Sequence, residues 1–440
     1  MLVHAFSLCL FTFILLSCAI VTAQPQGFIY DEADVPDYTL PDPLISPKGK
    51  RIQKPQTWIK QQRSYILDLF REHVYGKTPS TLPRVEYELL EKGKNALNGS
   101  ARRKQIAIRF SKDNHHLTAL LLIYLPKRQA GPHPVFVGLN FYGNQSIHPD
   151  SAIRISDSWV RNNPDYGITD NRATPSSRGV RQSRWPVEEI INRGYALATM
   201  YYGDIDPDYD DGFQNGIHPL YHSWQQNQPD SSTWGSVSAW AWGLSRIMDY
   251  LITDSDIDSG RVAVMGHSRL GKTALWAGAR DERFALVISN NSGCGGAALS
   301  RRHFGETVKR INNHFPHWFC DRFNRYNDNE ESLPVDQHML IALIAPRPVY
   351  IASAKEDLWA DPRGKFLAAL HADPVYKLLG TNGLATDNMP PLKQPIMSTI
   401  GYHIRPGKHD VTKYDWNRFM DFADMHLNPN PSEKKSNDKI

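Results

Sequence analysis

Apolar and polar positions along the central part of the chain form two patterns that follow one another. Short continuous apolar runs are typical of buried strands, and apolar residues that recur every three or four positions are typical of helices. Strands alternating with helices predict a mostly parallel central sheet in a three-layer α/β/α sandwich. The predicted strands are Val135–Leu139, Tyr195–Tyr201, Val262–Met265, Leu286–Ser289, Val349–Ser353 and Ile396–Ile400, and the predicted helices are Val187–Arg193, Trp234–Leu251, Leu270–Ala279 and Lys413–His426.

The segment before this alternation is organised differently. Residues 24–56 are rich in Pro and Asp without a sustained period, which predicts an extended N-terminal arm that crosses the domain surface. A helix over Thr57–Val74 and an opening pair of strands, Gln105–Phe110 and Leu117–Leu125, follow the arm. We therefore expect one large domain over residues 57–428.

Two long polar stretches interrupt the alternation, and a charged tail ends it. Asn144–Arg184 and Asp204–Thr233 are too long for simple connections, so we expect loops that wall the face at which the parallel strands end. Residues 429–440 are highly charged and predict a frayed C-terminal tail.

The N-terminal residues predict export from the cell. Residues 2–23 form an apolar run that ends in the small-residue pattern Val21-Thr22-Ala23, which is typical of a signal-peptide cleavage site. A positively charged start is missing, and Leu15-Leu16-Ser17-Cys18 also fits a lipoprotein cleavage site that would leave Cys18 lipid-anchored. We expect a secreted or periplasmic protein with signal peptide 1–23, and the lipid anchor is the second interpretation. No other apolar run is long enough to span a bilayer.

Composition narrows the class of protein. Hydrophobic residues make up 41% of the 440 positions and charged residues 22%, which is typical of a globular chain and excludes a disordered one. The net charge of +4 is spread along the sequence, so it predicts neither nucleic-acid binding nor a polybasic membrane patch. Beyond the predicted signal peptide only Cys294 and Cys320 remain, which is too few for a disulfide framework and leaves their pairing open.

The strongest chemical signal is a predicted buried strand that runs through Gly266-His267-Ser268 into a helix. Such a turn holds a serine hydroxyl clear of the sheet, and N–H groups at the helix start face a developing oxyanion. This is the nucleophile elbow of the α/β-hydrolase fold, whose usual pattern is G-x-S-x-G. Leu270 stands here in place of the second glycine, and Gly271 follows one position later. Ser268 is therefore a candidate nucleophile that needs partners.

Candidate partners follow in the order serine, acid, histidine that this fold requires. Asp357 comes just after a predicted strand, and His409 lies in Gly407-Lys408-His409-Asp410 beyond the last one. A serine hydroxyl is a poor nucleophile at neutral pH, so a histidine must accept its proton and a carboxylate must stabilise the imidazolium. The three residues predict an acyl-enzyme mechanism.

Several segments resemble the glucuronoyl methylesterases of carbohydrate esterase family 15, as found in bacteria. The elbow Gly266-His-Ser-Arg-Leu-Gly-Lys272 resembles the family signature G-[CH]-S-R-x-G-K. Further similar segments lie in the family's order within roughly residues 130–425: Gly138 to Asn144, Ser292 to Gly296, Leu333 to His338, Ile344 to Pro348 and Asp357 to Trp359.

The resemblance implies a substrate and roles that composition does not provide. It implies hydrolysis of the ester between 4-O-methyl-glucuronic acid on glucuronoxylan and lignin alcohols, without a cofactor. By position it makes Arg269 an oxyanion stabiliser, Lys272 a ligand of sugar hydroxyls and Trp359 a sugar-contacting ring. Glu306 is a substrate-binding candidate that could equally cap a helix. The two cations could also be ordinary solvated residues of the helix, and Trp359 could belong to the core.

Two positions depart from the family pattern. Many members carry the catalytic glutamate where this chain has Asn291, whose amide provides no counter-charge for an imidazolium. We expect Asp357 to be the acid instead, with Glu356 in reserve and Asp361 as a weaker third candidate. Fungal members also have a disulfide at the positions of His267 and Asp410, so we expect these two residues to approach each other across the site, where a hydrogen bond or ion pair could replace the covalent tie.

Other functions remain open at the level of sequence. An acetyl-xylan or other carbohydrate esterase would use the same triad, and a catalytically silent carbohydrate-binding protein could retain the scaffold. No H-E-x-x-H or comparable ligand cluster appears in the sequence, so we expect no metal site. We also expect a monomer.

Overall fold

The structure is a computed structural model that describes residues 24–128, 131–221 and 230–427. The predicted signal peptide and the predicted charged tail lie outside the described residues.

A nine-stranded sheet forms the centre of the molecule, in the order β1-β2-β3-β7-β4-β8-β9-β10-β11, and a separate two-stranded sheet pairs β5 with β6. β1, β2 and β3 pair in antiparallel fashion with their neighbours, and the six strands from β7 to β11 in that order are parallel. The strands are β1 (Arg84–Ala96), β2 (Ala101–Lys112), β3 (His115–Pro126), β4 (His133–Asn140), β5 (Ile168–Thr169), β6 (Arg172–Ala173), β7 (Ala196–Tyr201), β8 (Ile257–His267), β9 (Leu286–Asn290), β10 (Val349–Ala354) and β11 (Ile400–Arg405).

Helices cover both faces of the sheet, which confirms the predicted three-layer arrangement. One apolar cluster contains residues of α2, α4, α5, α7 and α8, and the cluster on the opposite face contains residues of α3 and α9. Neighbouring strand residues such as Val135 and Phe136 enter different clusters because side chains alternate across a strand. The helices are α1 (Pro55–Thr57), α2 (Arg63–His73), α3 (Val187–Asn192), α4 (Ser236–Thr253), α5 (Arg269–Arg280), α6 (Val308–His314), α7 (Gln337–Ala342), α8 (Pro362–Leu378) and α9 (Lys413–Leu427).

Four neighbouring parallel strands bring the candidate residues together. The register pairs His267 of β8 with Asn290 of β9, Asn290 with Ala352 of β10, and Ala354 with Arg405 of β11. The carboxyl ends of these strands therefore lie side by side, and the loops that follow them share one edge of the sheet. Ser268, Asp357 and His409 all stand in those loops.

The predicted strand Ile396–Ile400 was wrong, since the last strand is Ile400–Arg405. Ile396 makes only an isolated antiparallel bridge to Tyr402. The apolar pattern missed this strand because it contains buried polar side chains such as His403 and Arg405. Their ion-pair partner, Asp415, lies outside the strand.

Two further elements carried no clear sequence pattern. The edge strand β1 is exposed along most of its length, so it lacks an apolar run. Helix α8 contains Pro374 in its interior, a residue that normally ends a helix. The predicted helix Thr57–Val74 is α1 and α2 joined by one π-helical turn over Trp58–Gln62.

The N-terminal segment and the long polar stretches lie along the domain. Residues 24–54 contain one short 3-10 helix, Glu32–Asp34, and Ile29 makes a parallel bridge to Phe304. Arg302 donates to Glu32 at 2.7 Å, so this segment contacts the loop that follows β9. Within Asn144–Arg184 the structure has short 3-10 helices and the β5–β6 pair.

Candidate active site

Ser268 occupies a strained turn between β8 and α5. Its φ of 58° and ψ of −129° lie in a region that residues with a side chain rarely adopt, and such strain is found at functional sites. The tightness of the turn explains the glycine spacing. A Cβ on Gly266 would overlap the carbonyl group of Leu270, and one on Gly271 would lie 3.2 Å from the Asn290 carbonyl oxygen. The second close approach is therefore made by Gly271, while Leu270 packs in the core.

A histidine–carboxylate pair lies beside this turn. His409 Nδ1 donates to Asp357 Oδ2 at 2.7 Å, and the side chains are 40% and 4% exposed respectively. This bond leaves Nε2 of the imidazole as the basic nitrogen. Burial opposes ionisation of Asp357, but the His409 hydrogen bond and the charges of His409 and Lys365 outweigh it and lower its pKa. The carboxylate is thus the ionised partner that an imidazolium requires.

The other acid candidates have different partners. Glu356 is exposed and accepts from the Gly407 backbone N–H at 3.0 Å. Asp361 caps α8 and pairs with Arg302 at 2.9 Å. Neither carboxylate forms a hydrogen bond with His409.

Asn291, at the position of the family's glutamate, lies in a buried network beneath the pair. Its side-chain oxygen accepts from Lys365 Nζ at 3.3 Å, and its amide donates to the Asp410 carbonyl at 3.3 Å. It therefore holds the backbone next to His409 rather than the imidazole. Lys365 is fully buried on α8, and burial lowers its pKa to about 8 although Asp357 and Asp361 favour the charged form. The Lys365 charge in turn helps to keep the Asp357 carboxylate ionised.

Arg405 clamps the loop that carries His409. Its guanidinium donates to the carbonyls of Pro406 at 3.0 Å, Lys408 at 3.3 Å and Asp410 at 2.6 Å, which flank His409 on both sides. The same group bonds both oxygens of Asp415 at 3.0 and 2.7 Å, at the start of α9. Hydrogen bonds from Arg405 therefore hold the backbone on both sides of the half-exposed His409 in place.

His267 and Asp410 do not form the expected direct contact. The Asn290 amide bridges them instead, donating to His267 Nδ1 at 3.0 Å and to the Asp410 carbonyl at 2.9 Å. The Asp410 carboxylate accepts from Arg184 at 2.5 Å. The two residues therefore share a partner on β9, and no direct hydrogen bond or ion pair joins their side chains. The His267 ring packs against His409 with centroids 4.5 Å apart, and burial followed by the nearby His409 lowers its pKa.

Arg269, the first residue of α5, is held by a buried carboxylate that sequence reasoning missed. Asp208 forms an ion pair with its guanidinium and accepts from Tyr202 at 2.8 Å, His317 at 3.0 Å and Trp318 at 2.8 Å. Burial alone would raise the pKa of Asp208, but these contacts, led by the Arg269 charge, hold it well below its usual range. Arg269 also lies over the Trp318 ring, 4.7 Å from its centroid.

Lys272, Glu306 and Trp359 form a second group next to the elbow. Lys272 Nζ donates to the Ser292 carbonyl at 2.5 Å and lies 3.7 Å from Glu306 Oε2. Burial lowers the pKa of Lys272 and Glu306 opposes that effect. The Glu306 N–H donates to the Trp359 carbonyl at 3.0 Å, and the half-buried indole packs edge-on against Phe28 at 4.9 Å. Glu306 precedes α6, whose cap is Thr307, so it does not cap that helix.

The residues that sequence reasoning missed differ in how visible they were. Asp208 lies in Asp204-Ile-Asp206-Pro-Asp208, shortly after the carboxyl end of β7, and that position was a usable signal. Lys365 and Arg405 carried no such signal, since each stands in an element whose pattern was missed or misplaced.

The structure also bears on cysteine pairing, on metal binding and on membrane-spanning helices. Cys294 and Cys320 are both free and buried. In the part of the chain that the structure describes, no three His, Cys, Asp or Glu side chains are grouped to hold a metal ion. Across residues 24–128, 131–221 and 230–427, no helix has the length and apolar character needed to cross a membrane.

Comparison with known proteins identifies the family. A model of fungal glucuronyl esterases matches residues 189–380. A carbohydrate esterase from an unknown prokaryotic organism is 55% identical over 410 residues, which are 92% of this chain and 94% of that protein. A promiscuous family 15 esterase from a marine bacterial metagenome is 54% identical with a TM-score of 0.86, over 91% of this chain and 100% of that one. The glucuronoyl esterase of Solibacter usitatus is 46% identical with a TM-score of 0.85, over 90% and 100% of the two chains.

The sheet order and these structural neighbours define an α/β-hydrolase, and the enzyme class is that of serine-type carboxylic ester hydrolases. Identity of 55% over nine-tenths of both chains shows the family. The chain belongs to carbohydrate esterase family 15, the glucuronoyl esterases. The predicted fold and family are both confirmed.

Proposed function

We propose that this enzyme hydrolyses the ester between 4-O-methyl-glucuronic acid on glucuronoxylan and a lignin alcohol. The observation that carries the proposal is that the His409–Asp357 pair and the Lys272–Glu306 pair both lie near Ser268. His409 packs against His267, and Lys272 lies in the first turn of α5. The first pair supports acyl transfer, and the second offers a buried cation and a carboxylate for sugar hydroxyls. Hydrolysis of an acetyl ester would not require the Lys272–Glu306 pair, because an acetyl group has no hydroxyls for it to bind.

In the proposed mechanism Ser268 Oγ attacks the ester carbonyl while Nε2 of His409 accepts its proton. Asp357 stabilises the resulting imidazolium and fixes the tautomer through Nδ1. The oxyanion lies against the backbone N–H at the start of α5 and the Arg269 guanidinium, which Asp208 holds in place. The imidazolium then protonates the leaving alcohol, and water releases the acyl group by the reverse sequence.

The sugar-binding side of the proposal assigns Lys272, Glu306 and Trp359 to the glucuronoyl group. An ammonium donates to sugar hydroxyls, a carboxylate accepts from them, and an indole covers the apolar face of the ring. Because Phe28 packs against the indole, the N-terminal arm supports this subsite. We further propose that residues 57–428 act as one catalytic domain and that the protein is a monomer.

We also propose that the enzyme is exported. The apolar run over residues 2–23 supports a signal peptide, and Cys18 as a lipid anchor is the alternative. Mass spectrometry of the mature N-terminus distinguishes a chain that begins at Gln24 from one that begins at an acylated Cys18.

A substrate comparison tests the reaction. Benzyl glucuronate, methyl glucuronate and acetylated xylan are incubated side by side with the wild type and with Ser268→Ala. We expect turnover of both glucuronate esters by the wild type and none by the variant, whose missing hydroxyl contributes little to packing. Cleavage of acetylated xylan in preference to both glucuronates would overturn the substrate assignment, and full activity of Ser268→Ala would overturn the serine mechanism.

The sugar subsite is tested by selectivity. Lys272→Ala and Trp359→Ala should lose more activity on glucuronate esters than on a simple acetyl ester, since both residues are assigned to the sugar. Lys408→Ala, which removes an exposed lysine next to His409, is the matched control. Equal losses on both esters would show that the two residues have a structural role.

A further inference from the structure

A large cavity lies away from the candidate active site, at the opposite end of α5. Its volume is about 980 Å³, and it is bounded by α2, the segment after α2, α4 and the end of α5. Ser268 directly precedes α5 and Arg280 is its last residue. At ~1.5 Å per residue, the two ends of this helix are ~18 Å apart. The cavity is therefore a separate site.

Positive charge exceeds negative charge on the wall of this cavity. Three carboxylates line it, against five basic side chains: Arg71, Lys77, Arg246, Arg280 and Arg283. Four of the five have carboxylate partners: Arg71 with Asp68 at 2.9 Å, Lys77 with Glu72, Arg246 with Asp249 at 2.8 Å, and Arg283 with Asp249 at 2.7 Å and Asp281 at 2.6 Å.

Arg280 is the exception. Among the described residues its guanidinium has no hydrogen-bond acceptor and no carboxylate within ion-pair distance, and it lies over the Trp276 ring at 5.6 Å. Burial lowers the pKa of Arg280 to about 10, and the nearby charges of Arg71 and Arg246 act in the same direction, while the charge of the neighbouring Asp281 opposes them. A partly buried cation whose charged neighbours are mostly basic is costly, and a bound anion relieves that cost. Arg280 is thus the basic side chain of this wall that has no ion-pair partner among the described residues.

The remaining lining indicates which kind of anion fits. A guanidinium presents a planar fork of donors that matches a carboxylate. Tyr65 and Leu82 are 38% and 55% exposed at the cavity and offer apolar contact. Hydroxyl groups of Thr78, Ser80 and Ser245 line it as well. Aromatic surface combined with hydroxyls suits a sugar ring.

We propose that this cavity is a second saccharide site that binds the carboxylate of a uronic acid, with Arg280 as its anchor. The site goes beyond the proposed hydrolysis, because none of its residues belongs to the candidate active site. It would hold an acidic polysaccharide, such as the de-esterified chain, at a distance from Ser268.

Calorimetric titration of the complete mature protein tests the proposal with three probes: D-glucuronate, D-glucose and inorganic phosphate. We expect glucuronate to bind at a site that Arg280→Met weakens at least about tenfold, as for the loss of a charge-assisted hydrogen bond. Methionine keeps the apolar contact with Trp276 and removes the charge and the fork. D-glucose, which has no carboxylate, should not bind there.

Two further variants separate recognition from folding and from net charge. Arg280→Lys keeps the cation at the helix end but loses the fork, and it should also weaken glucuronate binding. Arg84→Met removes an arginine that is 74% exposed on β1 and should leave the binding unchanged. Thermal unfolding confirms that each variant folds. Glucuronate bound near Ser268 is measured separately, as competitive inhibition of ester hydrolysis, and that inhibition should be the same in all variants.

Two results would overturn the proposal. The first is equal glucuronate affinity of wild type and Arg280→Met at the site that does not inhibit hydrolysis. The second is phosphate binding that depends on Arg280 without any Arg280-dependent binding of glucuronate, which would assign the cavity to a tetrahedral anion instead.

Discussion

Two buried aspartates each hold one basic side chain of the candidate active site, Arg269 for Asp208 and His409 for Asp357, and their surroundings differ. Asp208 accepts from Tyr202, His317 and Trp318 in addition to its ion pair with Arg269. Asp357 accepts a side-chain hydrogen bond from His409, and its further support comes from the charges of Lys365 and Arg405. Asp208 therefore has several hydrogen-bond donors besides its ion pair, whereas Asp357 is bonded mainly to His409.

The difference follows from the chemistry of the two partners. A guanidinium stays charged throughout the reaction, so a fixed carboxylate with four partners can hold it in one place. An imidazole gains and loses a proton in each half-reaction, so its carboxylate must suit both states. The supporting cations Lys365 and Arg405 stabilise the Asp357 charge without occupying its bond to His409. In the proposed mechanism the Asp208–Arg269 pair therefore holds a fixed charge, whereas the Asp357–His409 pair takes up and releases a proton.

Asp357→Asn should have the largest effect. An amide cannot stabilise the imidazolium and permits the wrong tautomer, and the same change in a well-studied serine protease lowers turnover about 10⁴-fold. We expect a loss of this order in kcat on a glucuronate ester. Glu356→Gln is the matched control, because it alters the adjacent carboxylate that bonds Gly407. Near-normal turnover of Asp357→Asn, or a larger loss in Glu356→Gln or Asn291→Ala, would show that the acid is misassigned.

Asp208→Asn should come second. It leaves the partly buried Arg269 without its counter-charge and frees the guanidinium to move away from the oxyanion. Loss of one oxyanion donor typically lowers kcat by about 10²–10³. Tyr202→Phe removes one neutral donor to the same carboxylate and should cost far less. A kcat that is the same for Asp208→Asn and wild type would mean that the fixed pair plays no part in the reaction.

Lys365→Met should have a smaller effect that depends on pH. The Lys365 cation lowers the pKa of Asp357. Its removal disfavours the Asp357 carboxylate and favours the protonated form of the neighbouring His409. The acid limb of the kcat/KM profile should therefore move to higher pH. Lys355→Met, an exposed lysine two residues before Asp357, is the control and should leave the limb in place. An acid limb that stays in place or moves to lower pH in Lys365→Met would contradict this role.

The smallest expected effect concerns stability in acid. The pKa of Asp208 is lowered in the folded protein, while that of an unfolded Asp is about 3.9. Below this value the unfolded chain binds a proton that the native carboxylate does not, so stability falls as pH falls. Asp208→Asn should flatten the pH dependence of the unfolding free energy below about pH 4. Urea unfolding from about pH 2.5 to 6 gives the unfolding free energy at each pH, and hence its slope against pH. A slope that is the same in wild type and variant would argue against an ionised Asp208.

Much of the fold could be predicted because its signals are local. Apolar runs and helical periods placed β4, β7, β9 and β10 and the helices α4, α5 and α9 close to their observed bounds, and found the second half of β8. The failures share a cause. β11 contains buried polar residues that are satisfied by Asp415, and α8 contains an internal proline, so neither has the pattern that burial usually produces.

The candidate site likewise contains residues that could be predicted from local sequence and residues that could not. Ser268, Asp357 and His409 follow neighbouring strands in the order that the fold requires, so chain order alone brought them to one edge of the sheet. The charge partners were not predictable in this way. Asp208 and Arg269 are 61 positions apart, and Lys365 reaches Asn291 across 74. Local sequence determines strands, turns and helices because these depend on near neighbours. Which buried charge meets which is decided only when the packed layers bring distant segments within a few ångströms, where the low dielectric makes each pairing strong.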